Sequence, residues 1–145
     1  MKARVKWIDG VMFVGESESG HTVVMDGAVE AGGRNLGLRP MEMLLLGMGG
    51  CSSYDVIHIL KKMRAGVHDC TVDLEAERAA VDPKVFEAIH VHFVVKGRGL
   101  KPEQVGRAVA LSAEKYCSAS IMLGKTAKIT HDFEIIDIPD PSSEG

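Results

Sequence analysis

Six short stretches of the chain, two of them with clear alternation of apolar and polar residues, are predicted as strands. They cover residues 2–8, 11–15, 21–26, 70–78, 86–96 and 128–138. The first two stretches are separated by Asp9-Gly10, a strong signal for a hairpin turn. The segment 27–39 is rich in glycine and is predicted as a loop.

A long helix is predicted to begin at Pro40, because proline is favoured in the first helical turn. It runs to about Arg64, where Gly66 provides a stop. Its first half, as far as Gly50, is apolar on every face, which indicates burial on all sides. A small domain covers such a helix poorly, so we expect a homodimer with paired central helices.

A second helix is predicted from Pro102 to about Tyr116, followed by a short helical turn over 118–123. The order of elements is then β-β-β-α-β-β-α-β, with the strands grouped apart from the helices. This order predicts an α+β fold with a mainly antiparallel sheet. The chain has 145 residues, and we place one domain over 1–138 and a disordered tail over 139–145.

Charge and composition exclude several classes of partner. The formal net charge of −3 gives no electrostatic basis for nucleic-acid binding. No run of 18 apolar residues is present, so we expect no membrane span. The N-terminus lacks the apolar stretch of a signal peptide, and we predict a cytoplasmic protein.

Three cysteines occur, at Cys51, Cys70 and Cys117, and an odd number in a reducing compartment argues against a disulfide scaffold. Cys51 lies within the first helix among glycines and hydroxyl residues, where it is either a core cysteine or part of a pocket. Cys117 follows the second helix. If a helical turn starts at Ser118, its N–H groups and Lys115 favour a Cys117 thiolate. We interpret Cys70 as structural.

A metal site is the competing use of these residues. Cys51, Asp55 and His58 share one helix face, and His90 and His92 point to one side of a strand, so either set could bind zinc. Neither set has the close spacing of a known zinc motif, and we predict no metal. His90 and His92 are then expected on a solvated sheet face.

Charged residues precede Cys51. Arg34 and Arg39 lie in the predicted loop, and Glu42 lies in the first helical turn. An arginine near a thiol favours the thiolate, and a carboxylate can orient the arginine. The alternative for each is an exposed charge.

Two cysteine motifs resemble those of the OsmC/Ohr family, whose Ohr members are named for organic hydroperoxide resistance. The stretch from Arg39 to Cys51 looks like the start of the family's central helix, in the branch that begins Pro-Met-Glu. The stretch from Ala113 to Ala127 looks like its second cysteine motif. Further matches occur at 77–78, 82–86 and 89–90, so the resemblance covers about residues 2–137.

The resemblance implies an intertwined homodimer with active sites at the subunit interface. It also implies reduction of small organic hydroperoxides by a cysteine pair, without metal, flavin or another cofactor. Cys51 would attack the peroxide, Cys117 would resolve the product as a disulfide, and an external dithiol would reduce it. Glu42 matches an acidic position of the branch, although Met41 separates it from Pro40, where the glutamate of well-characterised family peroxidases directly follows the proline.

The residues expected to act in catalysis are therefore Cys51, Cys117, Glu42 and Arg39. Arg34, Met48 and Tyr54 are expected to contact the bound molecule. The alternative function is a non-catalytic dimer that binds a small hydrophobic or reactive-sulfur ligand at its interface.

Overall fold

The computed structural model describes residues 1–139. The chain divides into two compact units, Met1–Leu46 and a second that begins at Gly47. One domain over 1–138 stays a prediction. Residues 140–145, which form most of the predicted tail, lie outside the described residues.

The first unit contains a three-stranded antiparallel sheet. Its strands are β1 (Ala3–Asp9), β2 (Met12–Ser17) and β3 (Thr22–Met25), in the order β1-β2-β3. The predicted hairpin is present, and Gly10 takes the positive φ of 54° that a tight turn requires.

Asp26 organises the loop that follows. Its buried carboxylate accepts backbone N–H bonds from Gly27, Arg34 and Leu36. Burial raises the pKa of Asp26, but these bonds and the charge of Arg34 outweigh it, so the pKa lies below its usual value. The segment predicted as a plain loop is therefore tied to one carboxylate.

The long helix α1 (Pro40–Lys62) begins in the first unit and continues into the second. In the second unit its buried residues form one stripe, Met48, Gly49, Ser52, Val56 and Leu60. The expectation of burial on every face is not met within one protomer, since Leu44 and Leu46 are 50% and 55% exposed. The helix ends at Lys62, two residues before Arg64, which adopts a positive φ of 55°.

The second unit contains a three-stranded sheet of mixed direction. Strands β4 (Gly66–Arg78) and β5 (Phe86–Arg98) pair antiparallel, whereas β6 (Lys128–Asp137) lies parallel to β5. Helices connect β5 to β6, and such a crossover allows parallel pairing. The α+β class with mainly antiparallel pairing is confirmed, with β6 as the exception.

Three helical segments make up this crossover. They are α2 (Pro102–Leu111), a π-helical turn (Ser112–Tyr116) and α3 (Ser118–Leu123). The predicted second helix thus ends in a wider turn, and the predicted short helix over 118–123 is present.

Within residues 1–139, α1 is the one helix long and apolar enough to cross a membrane by length and composition. Core helices of soluble proteins meet the same criterion. The expectation of no membrane span is therefore not overturned by α1, and it stays a prediction together with the cytoplasmic location.

Candidate active site

The buried stripe of α1 becomes polar at its middle. Cys51 is half-buried there, Ser52 is buried, and Asp55 is half-buried one turn further on. Residues four apart on a helix project in nearly the same direction. The thiol of Cys51 and the carboxylate of Asp55 therefore share one side of α1.

Cys117 is the N-cap residue of α3 and has no solvent exposure. Its sulfur accepts the backbone N–H of Ser120 at 3.4 Å and the Ser120 hydroxyl at 3.1 Å. Ser52 Oγ lies 3.3 Å from the same sulfur. The predicted start of a helix at Ser118 is confirmed, and with it an N–H bond to Cys117. Lys115, also expected to help, instead lies over the Tyr116 ring at 5.3 Å.

The π-helical turn connects Cys117 to α1. The Cys117 N–H donates to the Ser112 carbonyl at 2.8 Å, which places the two residues one wide turn apart. The Ser112 hydroxyl lies 3.3 Å from both the Ser52 carbonyl and Asp55 Oδ2. Hydrogen bonds thus hold α1 and the second cysteine motif together.

The two motifs bring both thiols to one point. The sulfur atoms of Cys51 and Cys117 and a carboxylate oxygen of Asp55 all lie within 4.8 Å of one another. Both thiols are free. The prediction that Cys51 and Cys117 lie together is confirmed. These three residues could also hold a metal ion, with Cys117 in the place that helix spacing had suggested for His58.

The two thiols differ in their electrostatics. Burial raises the pKa of Cys117, but hydrogen bonds from Ser120, Ser52 and Cys51 outweigh it, so the pKa lies below its usual value. Burial also raises the pKa of Cys51, which a hydrogen bond from the Ala119 N–H opposes and the charges of Cys117 and Asp55 reinforce; that pKa lies above its usual value. When the pair loses one proton, Cys117 is therefore the thiol that ionises first, with the Cys51 thiol as hydrogen-bond donor to it.

A small cavity lies behind this cluster. It has a volume of about 10 Å³ and is bordered by Ser52, Ser112, Ser120 and His131 among others. That is room for about one water molecule. An organic molecule therefore has to approach the pair from the exposed side of Cys51.

Sequence reasoning did not identify the three serines as site residues, and it considered Asp55 only as a metal ligand. A signal was present for two of the serines. Ser52 occupies a position in the apolar stripe with Met48 and Val56, and Ser112 extends the stripe of Val105 and Val109. A hydroxyl in an apolar stripe needs a buried partner.

The side chain of Glu42 contacts the backbone of Arg39. The Arg39 N–H donates to Glu42 Oε2 at 2.9 Å, which is the glutamate half of a capping box at the start of α1. The Arg39 guanidinium instead donates to Asn35 Oδ1 at 2.5 Å and to the Gly37 carbonyl at 3.4 Å. The sequence had suggested that Glu42 orients the Arg39 guanidinium. The structure shows no such contact between the two groups.

Arg34 forms an exposed ion pair with Asp9 at 3.4 Å. Met48, expected to contact a ligand, is fully enclosed in the core. Tyr54 is 73% exposed, and its ring stacks on His58 with centroids 6.1 Å apart. Of these three residues that were expected to contact a ligand, Tyr54 is the one in the second unit whose side chain is exposed.

His90 and His92 lie on the outer face of the second sheet, as predicted. Both contact Asp132 Oδ1, at 3.1 Å and 2.6 Å, and His90 also contacts Thr130. The bond to Asp132 raises the pKa of His92. Cys70 lies on β4, outside the thiol cluster, and burial followed by the charge of Asp69 raises its pKa.

Comparisons with known proteins agree with this architecture. The family model described as OsmC-like protein matches residues 32–132. Protein YhfA of Escherichia coli K12 is 51% identical over 139 residues, which are 94% of this chain and 98% of YhfA. The crystal structure of a hypothetical protein from Aquifex aeolicus is 30% identical with a TM-score of 0.84, covering 95% of this chain and 97% of that one.

The organic hydroperoxide resistance protein OhrB of Bacillus subtilis has a similar fold. Its TM-score is 0.61 at 20% identity, over 92% of this chain and 98% of OhrB. The family model covers more than half of the chain, and two relatives are at least 30% identical over nearly their whole length. The chain belongs to the OsmC-like protein family.

Proposed function

We propose that this protein is a thiol-dependent peroxidase that reduces organic hydroperoxides in oxidative-stress defence. The proposal depends on one observation, a pair of free thiols within 4.8 Å of each other on two different elements. The hydrogen bonds donated to the Cys117 sulfur support it, because they lower the pKa of that thiol and so favour its ionisation. The names of relatives that confer organic hydroperoxide resistance add the substrate class.

Cys51 is the sulfur that meets the peroxide, because it is partly exposed whereas Cys117 is enclosed. The raised pKa of Cys51 does not prevent this role. As the Cys51 sulfur attacks, its proton passes to the Cys117 thiolate, which acts as the base. From the sequence, we had instead expected a nearby arginine to stabilise the thiolate of Cys51.

The reaction then follows the usual course of a two-cysteine peroxidase. The O–O bond breaks, Cys51 becomes a sulfenic acid, and the leaving alkoxide takes a proton from solvent to give the alcohol. Next, the Cys117 sulfur attacks the Cys51 sulfur and gives its proton to the departing hydroxide, forming the disulfide and water. An external dithiol reduces the disulfide by exchange.

A homodimer is part of the proposal. Val5, Trp7, Leu44 and Leu46 are each half exposed or more in the first unit. Apolar side chains of this size gain about 1.5–3 kcal/mol each when fully buried. A second copy of the chain would bury them, and family likeness favours that partner.

Each cysteine has its own expected phenotype when organic peroxide is added in equal amount to reduced protein. The chain should lose two of its three thiols quickly. Cys51→Ser should stop this loss, because a serine hydroxyl is hardly ionised and attacks peroxide poorly. Cys117→Ser removes both the base and the resolving thiol, so it should slow the first turnover but still leave a sulfenic acid that a dimedone-type reagent traps. Thiol counting and mass spectrometry measure both results.

Cys70→Ser is the matched control and should react like the natural chain. Rapid formation of a sulfenic acid on Cys117 in the Cys51→Ser variant would show that Cys117, and not Cys51, attacks the peroxide. If no variant differs and organic peroxide oxidises the pair no faster than a free thiol, the enzyme proposal fails.

A second candidate function rests on a cavity of about 430 Å³ in the first unit. Val5, Val23, Met25, Met43 and Leu44 are among the residues that line it. Cavities of this size and lining accept small hydrophobic ligands. A binding protein would bind a fluorescent apolar probe there, and Cys51→Ser would not change that affinity.

A further inference from the structure

We propose that Cys51, Asp55 and Cys117 form a binding site for a thiophilic divalent cation, with Zn²⁺ as the expected occupant. The sequence had predicted no metal, because the helical spacing of Cys51, Asp55 and His58 matched no known motif. In the folded chain, Cys117 lies beside Cys51 and Asp55, in the place that helical spacing had suggested for His58. Spacing along one helix could not predict this contact. The inference does not rest on peroxidase activity, although it uses the same two sulfurs.

The dimensions of the cluster suit zinc. Tetrahedral zinc, with Zn–S of about 2.3 Å and Zn–O of about 2.1 Å, holds two sulfurs about 3.8 Å apart and each sulfur about 3.6 Å from the oxygen. In this protein the three atoms lie within 4.8 Å of one another. Side-chain shifts of about 1 Å or less would complete the coordination.

The ligands are already held by neighbouring groups. Ser112 Oγ lies 3.3 Å from Asp55 Oδ2, and the Ser120 N–H and hydroxyl donate to the Cys117 sulfur. Such outer hydrogen bonds orient ligands and reduce the entropy that metal binding would cost. Cys51 and Asp55 are one turn apart on α1, so a rigid element fixes their separation.

The charge of the cluster is a second, independent observation. Asp55 takes part in none of the ion pairs formed within residues 1–139. Its half-buried carboxylate instead lies beside two sulfurs and accepts a hydrogen bond from Ser112. When both thiols are ionised, three like charges repel one another at this point, and a divalent cation would offset two of them.

The site would be open on one side. Three protein ligands leave the fourth tetrahedral position for water or another small ligand, and the half-buried Cys51 and Asp55 leave a path to solvent. A disulfide between Cys51 and Cys117 has no thiolate to donate. Metal binding and oxidation of the pair therefore exclude each other.

The test titrates reduced protein with Co²⁺ and follows thiolate-to-cobalt charge-transfer absorption. Zn²⁺ then displaces Co²⁺ in competition with a chromophoric chelator. We expect one Zn²⁺ per chain with a Kd tighter than about 1 μM. Cys51→Ser, Cys117→Ser and Asp55→Asn should each weaken binding at least about tenfold, because each removes one ligand.

Cys70→Ser and His58→Ala are the matched controls and should bind like the natural chain. Circular dichroism checks that each variant folds, and protection of both thiols from alkylation by Zn²⁺ gives a second readout on the unchanged protein. Absence of binding, or full affinity in Asp55→Asn, would overturn the inference. Such a failure leaves the peroxidase proposal untouched, since that is tested by peroxide consumption in metal-free buffer.

Discussion

At the scale of single residues, the Ser120 hydroxyl controls how much negative charge the Cys117 sulfur can carry. The hydrogen bond that this hydroxyl donates is the shortest of those to the Cys117 sulfur, at 3.1 Å. Ser52 has only one hydroxyl proton and lies 3.3 Å from both the sulfur and Ser120 Oγ, so it can serve only one of them at a time. Ser120 is therefore the more dependable donor.

We predict that Ser120→Ala raises the pKa of Cys117 toward its usual value, because it removes the largest of the hydrogen-bond contributions that lower it. The lowered pKa of the natural chain keeps the thiolate present as the pH falls below the ordinary thiol range, and the thiolate is lost as the pH falls through that lowered pKa. In the variant this loss occurs at a higher pH. Ultraviolet thiolate absorbance in a Cys51→Ser, Cys70→Ser background measures it.

Ser118→Ala is the control, because Ser118 begins the same helix but is exposed. An unchanged titration curve in Ser120→Ala would show that the N–H of residue 120 suffices to hold the thiolate.

Glu42 gives a second prediction at this scale. Glu42→Ala removes the acceptor of the Arg39 N–H and is expected to cost about 1 kcal/mol of the free energy of unfolding. Glu42→Gln should cost much less, since an amide oxygen can also accept. Urea unfolding measures both. A tenfold slower Cys51 oxidation in a stable Glu42→Gln protein would instead support the catalytic role expected from the sequence.

At the scale of elements, the three glycines before Cys51 have different surroundings. A Cβ on Gly49 would lie 2.7 Å from Leu74 Cδ1 on β4, whereas a Cβ on Gly47 or Gly50 would meet nothing within 4 Å. Within one protomer, only Gly49 allows close approach of another element.

We predict that Gly49→Ala is less stable than Gly50→Ala by about 1 kcal/mol in the free energy of unfolding, because the end of the Leu74 side chain has to move. Gly50→Ala is the matched control. In a lone protomer it should be stabilising by up to about 1 kcal/mol through helix propensity. Destabilisation by Gly50→Ala that depends on protein concentration would show that a second chain covers this face. Thermal unfolding at two concentrations measures it.

Most elements were predictable because their signals are local. Pro40, Pro102 and the Asp9-Gly10 turn mark ends that the structure confirms within a few residues. The parallel pairing of β5 with β6 was not predictable, because it depends on where the helical crossover returns the chain to the sheet. The contact of Cys117 with Ser52 was missed for the same reason, since Ser52 is 65 residues away in sequence.

At the scale of the whole molecule, we predict a dimer in solution. Light scattering should give about twice the chain mass of 15.6 kDa. Leu46→Glu should shift the protein to the monomer, since a buried unpaired charge at an interface costs several kcal/mol. Val81→Glu is the control, because Val81 is an exposed apolar residue in a turn of the second unit. A monomer mass for the natural chain at micromolar concentration would contradict the prediction.

The π-helical turn has a consequence for how this pair could be gained or lost in a lineage. Each residue of an α-helix advances about 100° around the axis. Deleting one residue between Ser112 and Cys117 would let the turn relax to an ordinary α-helix, in which the Cys117 N–H still bonds the Ser112 carbonyl and Cys117 still faces Ser52. A lineage could therefore lose one codon in this segment and keep the cysteine pair. Gain of a further codon there would instead turn Cys117 by about 100° away from Ser52, although both cysteines would remain in the sequence.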